Sequence, residues 1–222
     1  GRSKGGSVAQ IQFGLIIDAF PGEALRTTYV AEVSRALALI NGHFDSFHMI
    51  DHLDSGETAV LESFTTLAYL AALHPQFKFG HSVLCQSFRN PALVAKMGAT
   101  LQYLSGGRFL LGIGAGGFET EYKTYGYDFP PAGVRVDQLE EALQVIKALW
   151  SGKKETFSGK YYRVNEASCE PKPDPPPPVM VGALQRGCCA SQPDMRMIGT
   201  SPLSESADTA ARQPNLSAPA LK

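Results

Sequence analysis

A chain of 222 residues has room for one large α/β domain or two small ones, and is long enough to bury a sizeable core. Its formal charge of −1, from 20 Lys and Arg against 21 Asp and Glu, gives no basic face and argues against nucleic acid as a main partner. No apolar run reaches the length of a membrane span, and the opening GRSKGGSVAQ lacks the apolar stretch of a secretion signal.

After an N-terminus expected to be disordered over residues 1–10, Ile11–Ile17 (IQFGLII) reads as a buried strand, because it is rich in β-branched residues and uncharged. A helix is predicted over 23–40, with Leu25, Tyr29, Val33, Leu37 and Ile40 on one stripe and Asn41-Gly42 as its stop. The second strand, Ser46–Ile50, opens onto Asp51-His52. A second helix over 61–73 stops before His74-Pro75, and Phe77–Leu84 is the third strand. Asn90-Pro91 supplies an N-cap and a first-position proline for a third helix, which turns Val94, Met97, Leu101 and Leu104 inward and closes at Gly106-Gly107. The fourth strand, Phe109–Ile113, runs into Gly114-Ala115-Gly116-Gly117. A fourth helix over 134–150 carries Leu139, Leu143, Ile146 and Trp150 on one side and Glu140-Glu141 on the other.

Beyond it, 155–164 alternates like a hairpin around Ser158-Gly159. The proline-dominated 170–178 can be neither helix nor central strand, and Pro178–Ala183 is a fifth strand. Strand starts at Ile11, Ser46, Phe77 and Arg108 recur at about the length of one βα unit, which predicts a parallel sheet with right-handed crossovers. From Leu184 the periodicity is gone, so 184–222 is expected to be an irregular, disordered tail where a sixth βα unit would begin.

The glycines after the fourth strand sit where parallel α/β folds bind ligands, and they admit positive φ and a close approach to the main chain. Three readings are open: a phosphate loop for a dinucleotide or S-adenosylmethionine, a structural turn, or the ring-binding rim of a barrel. The phosphate loop normally follows a first strand and is answered by an acid about twenty residues on, which is not the arrangement here. At the second strand's end, His52 is placed to bond a ligand or move a proton near neutral pH, against the plainer reading of a surface turn. His43, His48 and His52 do not converge on a metal geometry. Glu119 and Glu121 read as solvated residues of a helix first turn, and Tyr122, Tyr125 and Tyr127 as packing residues. Cys85, Cys169, Cys188 and Cys189 form no Cys-x-x-Cys pair, which points to free thiols in a reducing, cytoplasmic setting.

Four stretches, DSFHMIDH (45–52), GHSVLCQSFRNPALVAKMGATLQYLSGGRFLLGIGAGGFETEYKTYGYDF (80–129), VRVDQLEEALQVIKALW (134–150) and FSGKYYRVNEASCEPKPDPPPPVMVGA (157–183), resemble in order the bacterial luciferase-like monooxygenase family. The similar branch is that of flavin- or coenzyme F420-dependent oxidoreductases. The resemblance implies an α/β fold of (β/α)8 TIM-barrel type, here an incomplete barrel of about five βα units over 11–183. It implies FMN or the deazaflavin coenzyme F420 as cofactor, hydride transfer with a small organic substrate, and O2 as an optional co-substrate. A homodimer, in which a partner chain closes the barrel, is a separate open alternative. It makes His52 the candidate catalytic residue and puts Asp51, His52, Ser82, Val83, Gly114 and Gly116 at the cofactor. Ser82-Val83 matches the family's non-prolyl cis peptide, which backs the ring. The acid some deazaflavin dehydrogenases carry after these glycines is replaced by Gly117, which speaks against their sugar-phosphate activity. The family's late strands and their phosphate site have no counterpart in the pattern, so the chain alone is expected to be inactive. A non-catalytic fragment or interaction subunit, and a Rossmann-like methyltransferase, are the alternatives.

Overall fold

The computed structural model describes residues 12–22, 28–182 and 196–198. In chain order the first half comprises β1 (Gly14–Ile17), α1 (Tyr29–Ile40), β2 (Ser46–Met49), α2 (Ser63–Leu73), β3 (Lys78–His81), β4 (Leu84–Cys85) and a 3-10 turn (Gln86–Phe88). It continues with α3 (Pro91–Ser105), β5 (Phe109–Gly114), α4 (Glu119–Thr124), α5 (Ala132–Ser151), β6 (Glu155–Ser158), β7 (Arg163–Ala167), β8 (Val179–Gly182) and β9 (Arg196–Ile198). The main sheet has the order β1-β2-β3-β5-β8-β9, all parallel, with β4 paired to the end of β5. The antiparallel pair β6–β7 stands apart from it. Parallel neighbours joined through helices are the βα architecture that the strand spacing predicts.

Alternate strand residues serve opposite faces. Phe47, Met49, Phe79, His81, Phe109, Leu111, Ile113 and Val181 are buried against the helices. Phe64 of α2 comes within 4.5 Å of the His81 ring and 6.2 Å of Phe109, centroid to centroid. Each large apolar side chain buried this way contributes about 1.5–3 kcal/mol. α3 lies close on this layer because Gly98 has no side chain: a Cβ there would stand 3.0 Å from Trp150 and 3.3 Å from Phe109. Trp150 of α5 in turn donates its indole N–H to the Ala95 carbonyl at 2.9 Å.

Local signals account for most of the boundaries. Asn90 caps α3 by accepting from the Ala92 amide, and Gly106 ends it in the left-handed conformation, φ 65°. α2 starts at Ser63 because the Glu62 carboxylate accepts from the Phe64 and Thr65 amides. Glu141 of α5 does the same for the turn between β6 and β7, taking the Lys160, Tyr161 and Tyr162 amides at 2.8–3.1 Å. The proline-rich return to β8 is tied down by Gln102 to the Pro175 carbonyl and Lys172 to the Leu149 carbonyl.

Several expectations need correction. The third strand is divided into β3 and β4 by Ser82-Val83. Leu104 does not turn inward; it is 74% exposed, one step past the buried stripe. Of the three tyrosines only Tyr122 is fully buried, Tyr127 packs partly, and Tyr125 is exposed. Within the patternless C-terminal stretch, residues 196–198 form a parallel strand on β8. Ile11, the predicted helix onset at 23–27 and the remainder of 183–222 lie outside the described residues. Among the described residues no helix is long and apolar enough to cross a membrane.

Candidate active site

The rim at the C-terminal ends of β2, β3 and β5 is fixed by one buried carboxylate. Asp51 follows β2 and is 4% exposed. Its Oδ1 accepts from Ser63 Oγ at 2.6 Å and Arg89 Nη2 at 2.9 Å; its Oδ2 accepts from the Cys85 amide at 2.9 Å and Arg89 Nη1 at 2.7 Å. Arg89 also reaches Glu62 at 2.5 Å. Burial alone would raise the Asp51 pKa, but the two-pronged Arg89 contact outweighs it and holds the carboxyl below its ordinary range. With four donors in place, the carboxylate of Asp51 is occupied inside the protein. It joins the end of β2 to β4, α2 and the segment before α3.

His52, the next residue, points the other way. Its ring lies 6.0 Å from Phe20, stacked, and 5.0 Å from Phe118, edge-on. Its Nδ1 is 3.2 Å from Glu121 Oε2. Glu121 Oε1 accepts from the Asp54 amide at 3.2 Å and also from the Leu53 amide. The reading of Glu121 as a solvated cap is therefore corrected: it is 4% exposed, while Glu119 stays outside and pairs with Lys123 at 2.8 Å. No periodicity reveals this, since α4 is six residues long and its inward face is set by the loop it closes on.

Ser82 and Val83 form a cis peptide, as the resemblance implies. Val83 lies over the glycines of the neighbouring strands: a Cβ on Gly114 or on Gly182 would stand 2.9 Å from its Cγ2. Gly116 has φ 76°, and a Cβ there would meet Tyr122 Oη at 2.0 Å and Cys85 Sγ at 2.7 Å. Cys85 and Tyr122 contact each other at 3.1 Å, and burial pushes both their pKa values up. Ser82, Val83, Gly114 and Gly116 thus lie at the C-terminal ends of β3 and β5, and His52 follows the end of the neighbouring β2. Val83 covers Gly114 and Gly182 there, while the space beside Gly116 is taken by Tyr122 and Cys85.

Two other histidines fall outside this group. His48, inside β2, bonds Ser46 Oγ through Nε2 at 2.9 Å. His81 is fully buried between Phe64 and Phe109 with both ring nitrogens unpartnered, and burial lowers its pKa to about 4. The sequence reading passed over it. Among the described residues no three His, Cys, Asp or Glu side chains converge as a metal site. An apolar groove of about 260 Å³ runs between α2 and α3, lined by Phe64, Met97 and Leu101, on the helical side away from the rim.

Comparison with known proteins gives a consistent result. The sequence profile of the family described as luciferase-like monooxygenase matches residues 13–211, past the point where the quoted stretches end. A curated relative, the F420-dependent glucose-6-phosphate dehydrogenase of Kineococcus radiotolerans, is 37% identical over 145 residues, covering 65% of this chain and 41% of that protein. An F420-dependent secondary alcohol dehydrogenase, solved with an F420-acetone adduct, superposes with TM-score 0.68 at 24% identity, over 79% of this chain and 53% of that one. The FMN-bound oxygenating constituent of 3,6-diketocamphane monooxygenase from Pseudomonas putida gives TM-score 0.65 at 22% identity, over 78% and 52%. These structural likenesses establish the fold, an α/β barrel of this type. The chain spans about four tenths of the length of such curated relatives.

Proposed function

Since the chain belongs to the luciferase-like monooxygenase family, we propose that it supplies the ring-facing part of a site for coenzyme F420 or FMN in an oxidoreductase acting on a small organic substrate. The observation that carries this reading is that His52 and the Val83-covered glycines stand at the C-terminal ends of strands in one parallel sheet. The bound ring supplies the hydride chemistry. The protein's own residues do the rest. Val83 and the Ser82-Val83 peptide back the ring, and the glycine positions at 114 and 182 let Val83 settle against the strands. Phe20 and Phe118 flank the His52 ring with aromatic contacts. The imidazole takes up or releases the proton that accompanies hydride transfer at a substrate oxygen. Asp51 contributes by holding the rim rather than by touching the ligand.

The names of the relatives favour F420 over FMN. Gly117, exposed and without an acid side chain, keeps the substrate distinct from the sugar phosphate of the dehydrogenase relatives. The phosphate-loop alternative finds no support: the space beside Gly116 is filled by Tyr122 and Cys85, which makes that turn a packing feature. We further propose that the 222-residue polypeptide by itself binds weakly and does not turn over.

Titrating the purified protein with F420, FMN and S-adenosylmethionine tests the reading. Saturable binding of F420 or FMN, retained within a few fold in His52→Ala, is expected. Binding of S-adenosylmethionine alone overturns it.

A further inference from the structure

We propose that Glu121 is a positioning residue that fixes the tautomer of His52, keeping the proton on Nδ1 so that Nε2 is the atom offered to the reacting group. The second half of that statement rests on His52 being the proton-transfer residue; the first half rests on geometry alone.

The two oxygens of Glu121 have separate tasks. Oε1 accepts from the backbone amides of Leu53 and Asp54, while Oε2 faces His52 Nδ1 at 3.2 Å. A carboxylate offers only acceptor positions, so a hydrogen bond to it obliges Nδ1 to carry the hydrogen. In the neutral ring the other nitrogen is then bare and able to accept. The His52 ring also contacts Phe20, stacked at 6.0 Å, and Phe118, edge-on at 5.0 Å. The side chain of Glu121 is 5% exposed and that of His52 20%, so water competes poorly for the contact. Glu121 comes from α4, after β5, and His52 from the end of β2, 69 residues apart. The pair therefore also ties α4 to the segment that follows β2.

A purely structural role for Glu121 would need only Oε1 and its two amides. Glu121→Gln separates the two tasks. The glutamine carbonyl can still accept from Leu53 and Asp54, but its NH2 can only donate, so Nδ1 must become the acceptor and the proton moves to Nε2. The experiment is 15N NMR of the purified chain labelled at histidine, at a pH where imidazole is neutral, with His52→Gln to assign the resonances. The wild type is expected to show His52 as the Nδ1–H form and Glu121→Gln as the Nε2–H form, with amide exchange at Leu53 and Asp54 unchanged. An Nε2–H form in the wild type, or one tautomer in both proteins, overturns the proposal. Should Glu121→Gln fail to fold, the wild-type spectrum decides alone. Neither readout involves a cofactor, so a failed titration with F420 and FMN would remove the functional reading and leave the tautomer result standing. In a full-length homologue the change equivalent to Glu121→Gln is expected to lower kcat at least about tenfold with KM little changed; a rise in KM with kcat unchanged would count against it.

Discussion

The face of the sheet that meets the helices and the face turned away from them are made from alternate residues of the same strands, yet they share almost no side-chain type. Toward the helices stand Phe47, Phe79, Phe109, Leu111 and Ile113, each at most 1% exposed. On the other face stand Ser46, His48, Gly80, Gly112, Gly114 and Gly182. There the backbones crowd so closely that a Cβ on Gly112 would lie 2.0 Å from the His81 carbonyl oxygen. The first face is filled by bulk and gains its energy from burial. The second carries glycines and small residues where backbones come close, with Leu110 and Met180 among them. The candidate site stands beyond the C-terminal ends of the same strands, with Asp51 at the junction.

That division can be broken or sharpened experimentally. The largest effect is expected at the junction. Asp51→Asn leaves Arg89 without its buried carboxylate partner and should cost about 3–5 kcal/mol in urea unfolding. A loss below about 1 kcal/mol would mean the rim is not fixed there.

The filled face carries its own pH signature. His81 has its pKa lowered from 6.5 to about 4 by burial, offset in part by the charge of Asp51, while Arg89 and His48 add to the lowering. The unfolded chain therefore binds this proton more readily than the folded one. The contribution is complete above about pH 6.5 and is lost as pH falls toward 4, by roughly 3 kcal/mol in all. His48, also lowered by burial, acts in the same direction. Asp51, whose pKa is depressed, adds a further loss only below the ordinary carboxyl range. His81→Leu should flatten most of the slope between pH 6.5 and 4 in stability measurements; an unchanged slope would assign it elsewhere.

In a full-length homologue, the change equivalent to His52→Ala should cut turnover about a hundredfold, near 2.7 kcal/mol of barrier, with cofactor affinity almost intact. An unchanged rate would reduce His52 to a wall of the site. Gly116→Ala should cost about 1–3 kcal/mol in thermal unfolding, since alanine resists φ 76° and its methyl would meet Tyr122. The smallest effect belongs to Lys123→Ala, which breaks an exposed pair with Glu119 and should move stability by less than about 0.5 kcal/mol.

The elements were legible in the sequence wherever a local signal fixed them. Asn90-Pro91, Gly106 and the apolar run 109–113 each act over a few residues, and the structure follows them. Leu104 failed because the buried stripe of α3 runs through Val94, Ala95, Gly98, Ala99 and Gln102, and Leu104 lies away from it on the helix. β9 failed because three residues on a sheet edge need no pattern of their own. The site was legible only in part. His52 announced itself by lying at a strand end, whereas Glu121 meets it from 69 residues away through a contact that exists only once β2 and β5 lie in one sheet. Asp51 was found for its position, but its four donors come from α2, β4 and Arg89, which no spacing displays.

Trp150 is the single tryptophan of the sequence, 5% exposed and bonded into the seam between α3 and α5. Its emission therefore reports from one place, on the helical side of the sheet. A substitution at His52, Glu121 or Gly116 that shifts this light has disturbed the seam itself, and one that leaves the spectrum still has acted at the rim alone. The chain carries its own optical gauge for telling a loosened fold from an altered site, with no label added.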